Sequence, residues 1–259
     1  MAGNFVQLHN HTHYSLLDGA SKVPDLVKRV KELGMPAVGI TDHGNMHGAY
    51  ELWRAAVDSG VKPIIGIEAY VTPETARQDK TRVSWDTNWT PVPGHARNPD
   101  DVSGGGLITH LTMWAENDEG LVNLIKASSV ANLEGRVMRY PRMDKEVLST
   151  YSKGVIASSG CPSGIIQTRL RLGQFDEALR AAGEFQDIFG KDNFYIELMD
   201  HGLSIESKVT GDLLTIAKKL GAPLLATNDS HYVMEADKDA EDAMLCINSG
   251  ATLDDPNRF

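Results

Sequence analysis

Residues 8–12 read Leu8-His9-Asn10-His11-Thr12 and follow directly on the apolar run Phe5-Val6-Gln7-Leu8. Such a run is typical of a β-strand, and alternate residues of a strand point to the same face. Both imidazoles can therefore reach one metal ion. For an isolated His-x-His pair, a polar surface strand is an equally good interpretation, so the rest of the chain has to decide between the two.

Other apolar, strand-like runs along the chain also end in residues that can bind metal. These ends are Asp42-His43, Glu68, His110, Cys161 and Asp229-Ser230-His231. Chance rarely places so many kinds of ligand at so many strand ends. Because α/β folds carry their chemistry at the C-terminal ends of their strands, the pattern predicts a polynuclear metal site there.

Short apolar runs alternate with helical patterns over most of the chain. Residues 38–41 and 63–67 are typical of buried parallel strands. Helical periodicity covers residues 23–33, which Gly34 ends, and residues 205–220, which Gly221 ends. About seven strands can be counted. The alternation predicts an α/β fold, a distorted seven-stranded (βα) barrel with the metal site at the C-terminal ends of the strands.

Composition limits the class of protein. The 259 residues, 41% hydrophobic and 23% charged, are ordinary for one globular domain, 1–259, of barrel size. No apolar stretch predicts a membrane span, and two cysteines favour a reducing cytoplasm over a disulfide framework. The net charge of -10 argues against a generally basic nucleic-acid surface. It leaves a phosphate substrate open, because bound metal ions reverse the local charge.

One long segment, 72–106, interrupts the alternation. It is rich in Pro, Gly, Asp, Asn, Thr and Arg, and it includes Gly104-Gly105-Gly106. Loops of this length are uncommon unless they are functional or mobile. A flap or docking surface near the site and a disordered surface insertion both remain open.

The candidate ligands can be grouped by ion, although the sequence supplies donors and not their partition. A first ion would use His9, His11 and Asp229. Glu68 would bridge to a second ion that His110 and Cys161 complete, and a third would use Asp18, His43 and His231. Asp42 is interpreted as a hydrogen-bond acceptor that fixes an imidazole.

Several of these residues have a structural alternative. Asp18 also fits a turn, and Cys161 also fits a small buried side chain. Cys246 is interpreted as a core residue of a helix. The other histidines lie in turn-like or loop-like contexts and are not predicted as ligands: His13, His47, His95 and His201.

The chain resembles the polymerase-and-histidinol-phosphatase (PHP) family. More narrowly, it resembles the N-terminal PHP domains of bacterial replicative DNA polymerase III alpha subunits of the actinobacterial type. The resemblance covers nearly the whole chain. It rests on 8–12, Asp18-Gly19, Thr41-Asp42-His43-Gly44-Asn45-Met46, Gly66-Ile67-Glu68-Ala69-Tyr70, Gly160-Cys161-Pro162-Ser163-Gly164, Leu198-Met199-Asp200-His201-Gly202, Thr227-Asn228-Asp229-Ser230-His231-Tyr232 and Asp255-Pro256-Asn257-Arg258-Phe259.

The resemblance implies a distorted seven-stranded (βα) barrel with three divalent metal ions, zinc first, with manganese or iron as alternatives. The ligands that it implies are His9, His11, Asp18, His43, Glu68, His110, Cys161, Asp229 and His231. The implied activity is metal-dependent phosphodiester hydrolysis, a 3′→5′ exonuclease that proofreads DNA, with Glu68, Asp18 and His43 as catalytic residues. The implied partners are DNA at the primer 3′ end, the remainder of a polymerase III alpha chain, and replisome subunits.

Two departures from the family pattern, and two other functions, accompany the resemblance. His13 stands where an acidic residue is more familiar, and residues 87–98 are longer than expected. A free-standing phosphoesterase for small molecules, and a non-catalytic module whose metals brace a polymerase, are the alternative functions. Arg169 and Arg171 are interpreted either as guides for the DNA backbone or as ordinary helix-surface charges.

Overall fold

Short apolar runs become strands, and the amphipathic stretches between them become helices, in residues 5–92, 97–256 and 258, which the computed structural model describes. The elements in chain order are α1 (Val23–Glu32), β1 (Ala37–Ile40), α2 (Ala49–Ser59), β2 (Lys62–Val71), α3 (Ser103–Gly106), β3 (Thr109–Ala115), α4 (Asp118–Glu134), β4 (Arg136–Val137), β5 (Tyr140–Met143), α5 (Lys145–Thr150), β6 (Val155–Ser158), α6 (Ile165–Arg171), α7 (Phe175–Phe189), β7 (Phe194–Leu198), α8 (Ser204–Leu220), β8 (Leu224–Ala226), the 3₁₀ turn Glu235–Asp237 and α9 (Lys238–Ser249).

The chain divides into two units. Unit 1 comprises the residues up to Ile67 together with those from Thr227 onward, and unit 2 comprises Glu68–Ala226. Within the described residues, no helix has both the length and the apolar character that crossing a bilayer requires.

The core of unit 1 forms where α1 packs on α2 and β1. A proline in its first turn favours the start of α1, as its fixed φ suits that position. Val23, Leu26, Val27 and Val30 then recur on one buried face. They pack with residues of β1 and α2 in one cluster, where burial of each side chain contributes about 1.5–3 kcal/mol. The helix predicted over 23–33 is thereby confirmed.

The His-x-His segment is extended but is not a regular strand. β1 pairs in parallel with the first residues of β2, whereas the segment before the histidines makes only an isolated parallel bridge, Gln7 with Val38. Further along, side chains share in the bonding of the backbone. The side-chain amide of Asn10 donates to Gly39 O at 2.8 Å, and its backbone N–H bonds Thr41 Oγ1 at 3.1 Å, while its carbonyl oxygen accepts the N–H of Thr41 at 2.9 Å. Such bonds compete with a regular ladder.

The sheet of unit 2 is mixed, whereas the sequence predicted parallel strands. Its order is β4-β5-β2-β3-β6-β7-β8. β7 pairs in parallel with β6 on one side and with β8 on the other. β3, in contrast, runs antiparallel to β6, with Met113 opposite Ala157. The start of β3 therefore lies beside the C-terminal end of β6.

This topology corrects two predicted positions. His110 lies at the beginning of β3 and not at a strand end, and Glu68 lies inside β2. His110 still lies near the C-terminal end of β6, because the reversed direction of β3 brings the beginning of β3 to that end. Asp42 and His43 follow β1, and Asp229 follows β8, as predicted.

The described part of the long loop, 72–92 and 97–106, is held by a dense set of polar contacts. Asp101 accepts hydrogen bonds from the backbone N–H groups of Trp85 at 3.1 Å and Val102 at 2.8 Å. The buried Arg142 donates to the carbonyl oxygens of Arg77 at 2.7 Å and Asp79 at 2.6 Å. These contacts disfavour the interpretation of this part as a disordered insertion.

Two arginines of α6 hold the same loop. The Arg169 guanidinium lies 3.8 Å from the centroid of a Trp85 ring, a cation–π geometry. The side chain of Arg171 is only 4% exposed, and it donates to the carbonyl oxygens of Pro162 and of Asp100. Both side chains are packed inside unit 2 and are not ordinary helix-surface charges.

Gly120 in α4 is predicted to tolerate no side chain. A Cβ there would lie 1.6 Å from the carbonyl oxygen of Gly154, which already accepts the N–H of Glu116 at 2.9 Å. We expect Gly120→Ala to lower the free energy of unfolding by about 3 kcal/mol, measured by urea denaturation.

The matched control is Gly211→Ala in α8, where a Cβ would meet nothing within 4 Å. It should raise stability by about 0.5–1 kcal/mol, because alanine has the higher helix propensity. Equal effects of the two substitutions would contradict the packing of α4 on Gly154.

Asp101 makes loop stability depend on pH. Burial acts to raise the pKa of Asp101, but hydrogen bonds from Ser84 and from backbone amides outweigh it and hold the pKa below its ordinary 3.8. A lowered folded pKa means that the stabilisation is present above about pH 4 and is lost as pH falls through the folded value. We expect Asp101→Asn to cost about 1–3 kcal/mol at pH 7. Urea denaturation should show that difference shrinking below pH 4; a constant difference at pH 3 would contradict it.

Candidate metal centre

The carboxylate of Asp229 lies between the two histidines that open the chain. Its Oδ1 is 3.1 Å from His9 Nε2 and 3.1 Å from His11 Nε2. The histidines are fully buried, and the donor atoms of all three residues lie within 4.8 Å of one another. A parallel bridge between Asn10 and Ser230 sets this register. Two nitrogens and one carboxylate are thus placed to bind one ion.

A second group in unit 1 shares His11. The donor atoms of His11, His43 and His231 lie within 4.8 Å of one another, and His43 Nε2 is 2.8 Å from Asp18 Oδ2. Glycine is needed beside Asp18, because a Cβ on Gly19 would lie 2.3 Å from the carbonyl oxygen of Thr12. That close approach brings Asp18 against the His-x-His segment.

The electrostatics of unit 1 favour a neutral His11 and an ionised Asp18. Burial, with smaller contributions from His43 and His231, lowers the pKa of His11 to about 3. For Asp18, burial acts to raise the pKa, but the hydrogen bond and charge of His43 outweigh it and the pKa is lowered. Neutral imidazole and carboxylate are the forms that bind metal.

Hydrogen bonding assigns the tautomer of His11. The single hydroxyl proton of Ser15 goes to Asp42 Oδ1 at 2.9 Å, so Ser15 Oγ can only accept from His11 Nδ1, also at 2.9 Å. The proton therefore sits on Nδ1, and the lone pair of Nε2 faces Asp229. Asp42 was expected to fix an imidazole directly; it acts one step away, through Ser15, and also accepts the N–H of Thr12.

Unit 2 holds the remaining candidate ligands. His110 Nδ1 is 3.3 Å from Glu68 Oε1 and 3.3 Å from Cys161 Sγ. Glu68 is completely buried in β2, and Cys161 is 5% exposed in the turn after β6. The side-chain amide of Gln167 donates to Gly160 O at 3.0 Å and holds that turn. Nitrogen, oxygen and sulfur donors meet here, a set that suits zinc.

The structure sorts the predicted residues into the two units. His9, His11, Asp18, His43, Asp229 and His231 come together in unit 1, and Glu68, His110 and Cys161 come together in unit 2. Other histidines lie elsewhere: His13 and His47 are exposed, and His201 bonds Glu206 at 2.6 Å. His95 falls outside the described residues.

Sequence reasoning missed Ser15. Its only signal is a hydroxyl four residues after His11, which is common in turns and therefore carries little information. The backbone of Asp229 also has an unusual feature, a φ of 46°. Aspartate tolerates this left-handed region better than most residues, and such conformations concentrate at functional sites.

The model of the PHP domain family matches residues 7–201. The chain belongs to the PHP family. The predicted α/β fold class is confirmed.

Relatives of this PHP chain are DNA polymerase III alpha subunits. It is 52% identical over 256 residues to the one from Mycobacterium leprae, covering 99% of this chain and 21% of the relative. It is 53% identical over 255 residues to the one from Saccharopolyspora erythraea, covering 98% and 21%. The chain thus spans about a fifth of the length of these relatives, and the similarity to actinobacterial subunits agrees with the predicted type.

Ser15 is predicted to support metal binding without touching the ion. Ser15→Ala removes the acceptor for His11 Nδ1–H and for the N–H of His43. We expect metal affinity to fall about 10–100-fold, as for other residues that orient ligands, measured by competition with a chelating dye. Ser129→Ala, which removes an exposed hydroxyl that bonds the carbonyl of Ile125 in its own helix, should leave affinity unchanged. Equal metal affinities of the two variants would contradict the role of Ser15 in orienting His11.

Proposed function

We propose that this chain is a metal-dependent phosphodiesterase that removes nucleotides from the 3′ end of DNA, within a DNA polymerase III alpha subunit. The observation that carries the proposal is the group formed by His9, His11 and Asp229, in which two buried imidazole nitrogens face one carboxylate oxygen. Identity of 52% over nearly the whole chain to polymerase III alpha subunits supports DNA as the substrate.

The proposed site holds three divalent metal ions, bound by the nine residues predicted from the sequence. Zinc is the first candidate for their identity. When bound, such ions lower the pKa of a coordinated water and stabilise charge on the phosphoryl oxygens. The mixed donor set leaves manganese and iron as further candidates.

The residues of the chain would supply binding and orientation. Asp18 and His43, joined at 2.8 Å, would orient the scissile phosphate. Glu68, completely buried in β2, would bridge two of the ions and so fix the place of the attacking water between them. His11 stays neutral through the working pH range, because burial lowers its pKa to about 3, so it remains a ligand.

The proposed setting is a replisome. The primer 3′ end of DNA would be the substrate, and the remainder of the polymerase chain and other replisome subunits would be the partners. DNA synthesis itself is assigned to the rest of such a longer chain, since the PHP family matches residues 7–201, most of this one.

The test is hydrolysis of a 5′-labelled single strand by the metal-loaded chain. We expect stepwise shortening from the 3′ end that a chelator stops. Asp229→Asn should lower the rate by about 100-fold or more, because charge stabilisation by a metal ion is worth several kcal/mol. The control Asp212→Asn changes an exposed carboxylate of α8 and should leave the rate unchanged.

The outcomes separate the proposal from its alternatives. Bound metal without hydrolysis of DNA would favour a structural module that braces a polymerase. Hydrolysis of small phosphate esters without shortening of DNA would favour a free-standing phosphoesterase. A chain that binds no metal would overturn all three.

A further inference from the structure

Glu241 is a buried carboxylate on α9, outside the predicted ligand set. The residue is 5% exposed, and neither carboxylate oxygen accepts a hydrogen bond from the part of the chain that the structure describes. The backbone N–H of Ala20 acts to lower the pKa of Glu241, but it donates to the carbonyl oxygen of His231 at 2.8 Å. A buried carboxylate left in this state is costly and calls for a cation or a proton.

The surroundings of Glu241 place it beside two candidate ligands. It lines the same surface groove, of about 450 Å³, as Tyr232, which directly follows His231. Burial raises the pKa of Glu241, and the charges of His231 and Asp18 act on that pKa in opposite directions, His231 lowering it and Asp18 raising it. Two basic residues, Lys238 and Arg258, line this groove. The side chain of Arg258 is bound to Asp242 at 2.9 Å and does not neutralise Glu241.

Lys238 also lines the groove but lies on its exposed side, so it does not replace a buried cation. The charge balance points the same way. A divalent ion held by Asp18 and the neutral imidazoles of His43 and His231 would keep one net positive charge, and one further carboxylate would neutralise it.

We propose that Glu241 is an additional carboxylate of the Asp18–His43–His231 group, which binds a divalent cation either directly or through a coordinated water. The proposal rests on the metal binding proposed above and extends it to a residue of α9. Because the carboxylate is buried beside the group, its role is to hold the ion and not to contact DNA.

The test is Mn²⁺ titration of the chelator-treated chain, followed by electron paramagnetic resonance of free Mn²⁺. Glu241→Gln keeps shape and removes the charge. We expect the affinity of one ion to fall about 10–100-fold, the range seen for residues that support ligands, while the other ions bind as before. Asp239→Asn, the same charge change at an exposed position of α9, should leave all affinities unchanged.

Thermal unfolding keeps the test decisive if binding is lost altogether. In chelator, Glu241→Gln should melt at the same or a higher temperature than the unaltered chain, because a buried unpaired carboxylate has been removed. A much lower melting temperature in chelator would assign Glu241 a structural hydrogen bond and overturn the proposal.

The remaining outcomes distinguish this inference from the proposed function. Unchanged affinities in Glu241→Gln, with ions bound by the unaltered chain, overturn the role of Glu241 alone. An unaltered chain that binds no Mn²⁺ overturns both. Ions bound without DNA hydrolysis overturn the exonuclease, and the comparison of variants still decides the role of Glu241.

Discussion

The site depends on buried imidazole and carboxylate groups being held in the form that binds metal. An imidazole binds metal only when it is neutral and its proton is on the opposite ring nitrogen, and a carboxyl group binds metal when it is ionised. His9 and His11 are fully buried, and both present Nε2 to the same oxygen of Asp229. Ser15 fixes the proton of His11 on the opposite ring nitrogen, because its own proton belongs to Asp42. The lone pair therefore faces the carboxylate before any ion arrives, which reduces the cost of ordering the ligands on binding.

Much of this arrangement could be predicted from the sequence, because it depends on short-range spacing. The His-x-His pair, His43 and Asp229-x-His231 each follow an extended run, and the structure brings these side chains close together in unit 1. His110 lies beside two other predicted ligands, Glu68 and Cys161, although its predicted position on the strand was wrong. The direction of β3 depends on its pairing with β6, which lies more than forty residues away and leaves no local signal.

The rest could not be predicted, because it depends on long-range contacts between ordinary residues. Trp85 and Arg169 are in contact although they are 84 positions apart in the sequence, and the residues around neither of them predict that contact. Glu241 is similar: it is one of 35 acidic residues, on a helix whose pattern fits a solvated surface. Glu241 becomes buried because α9 packs on its neighbours, and this packing cannot be inferred from the local sequence.

The same long-range contacts bear on how a chain of net charge -10 would attract DNA. Arg169 and Arg171 are committed to Trp85 and to Asp100, and Arg77 is bound by Asp144 and Glu146. These arginines hold the loop 72–106 and are not available to neutralise phosphates. Under the proposed function, bound metal ions would add to the attraction for a polyanion, as would other parts of a longer protein. Metal loading would then promote binding of DNA as well as its hydrolysis, because an unloaded site presents its carboxylates without the positive charge of the ions.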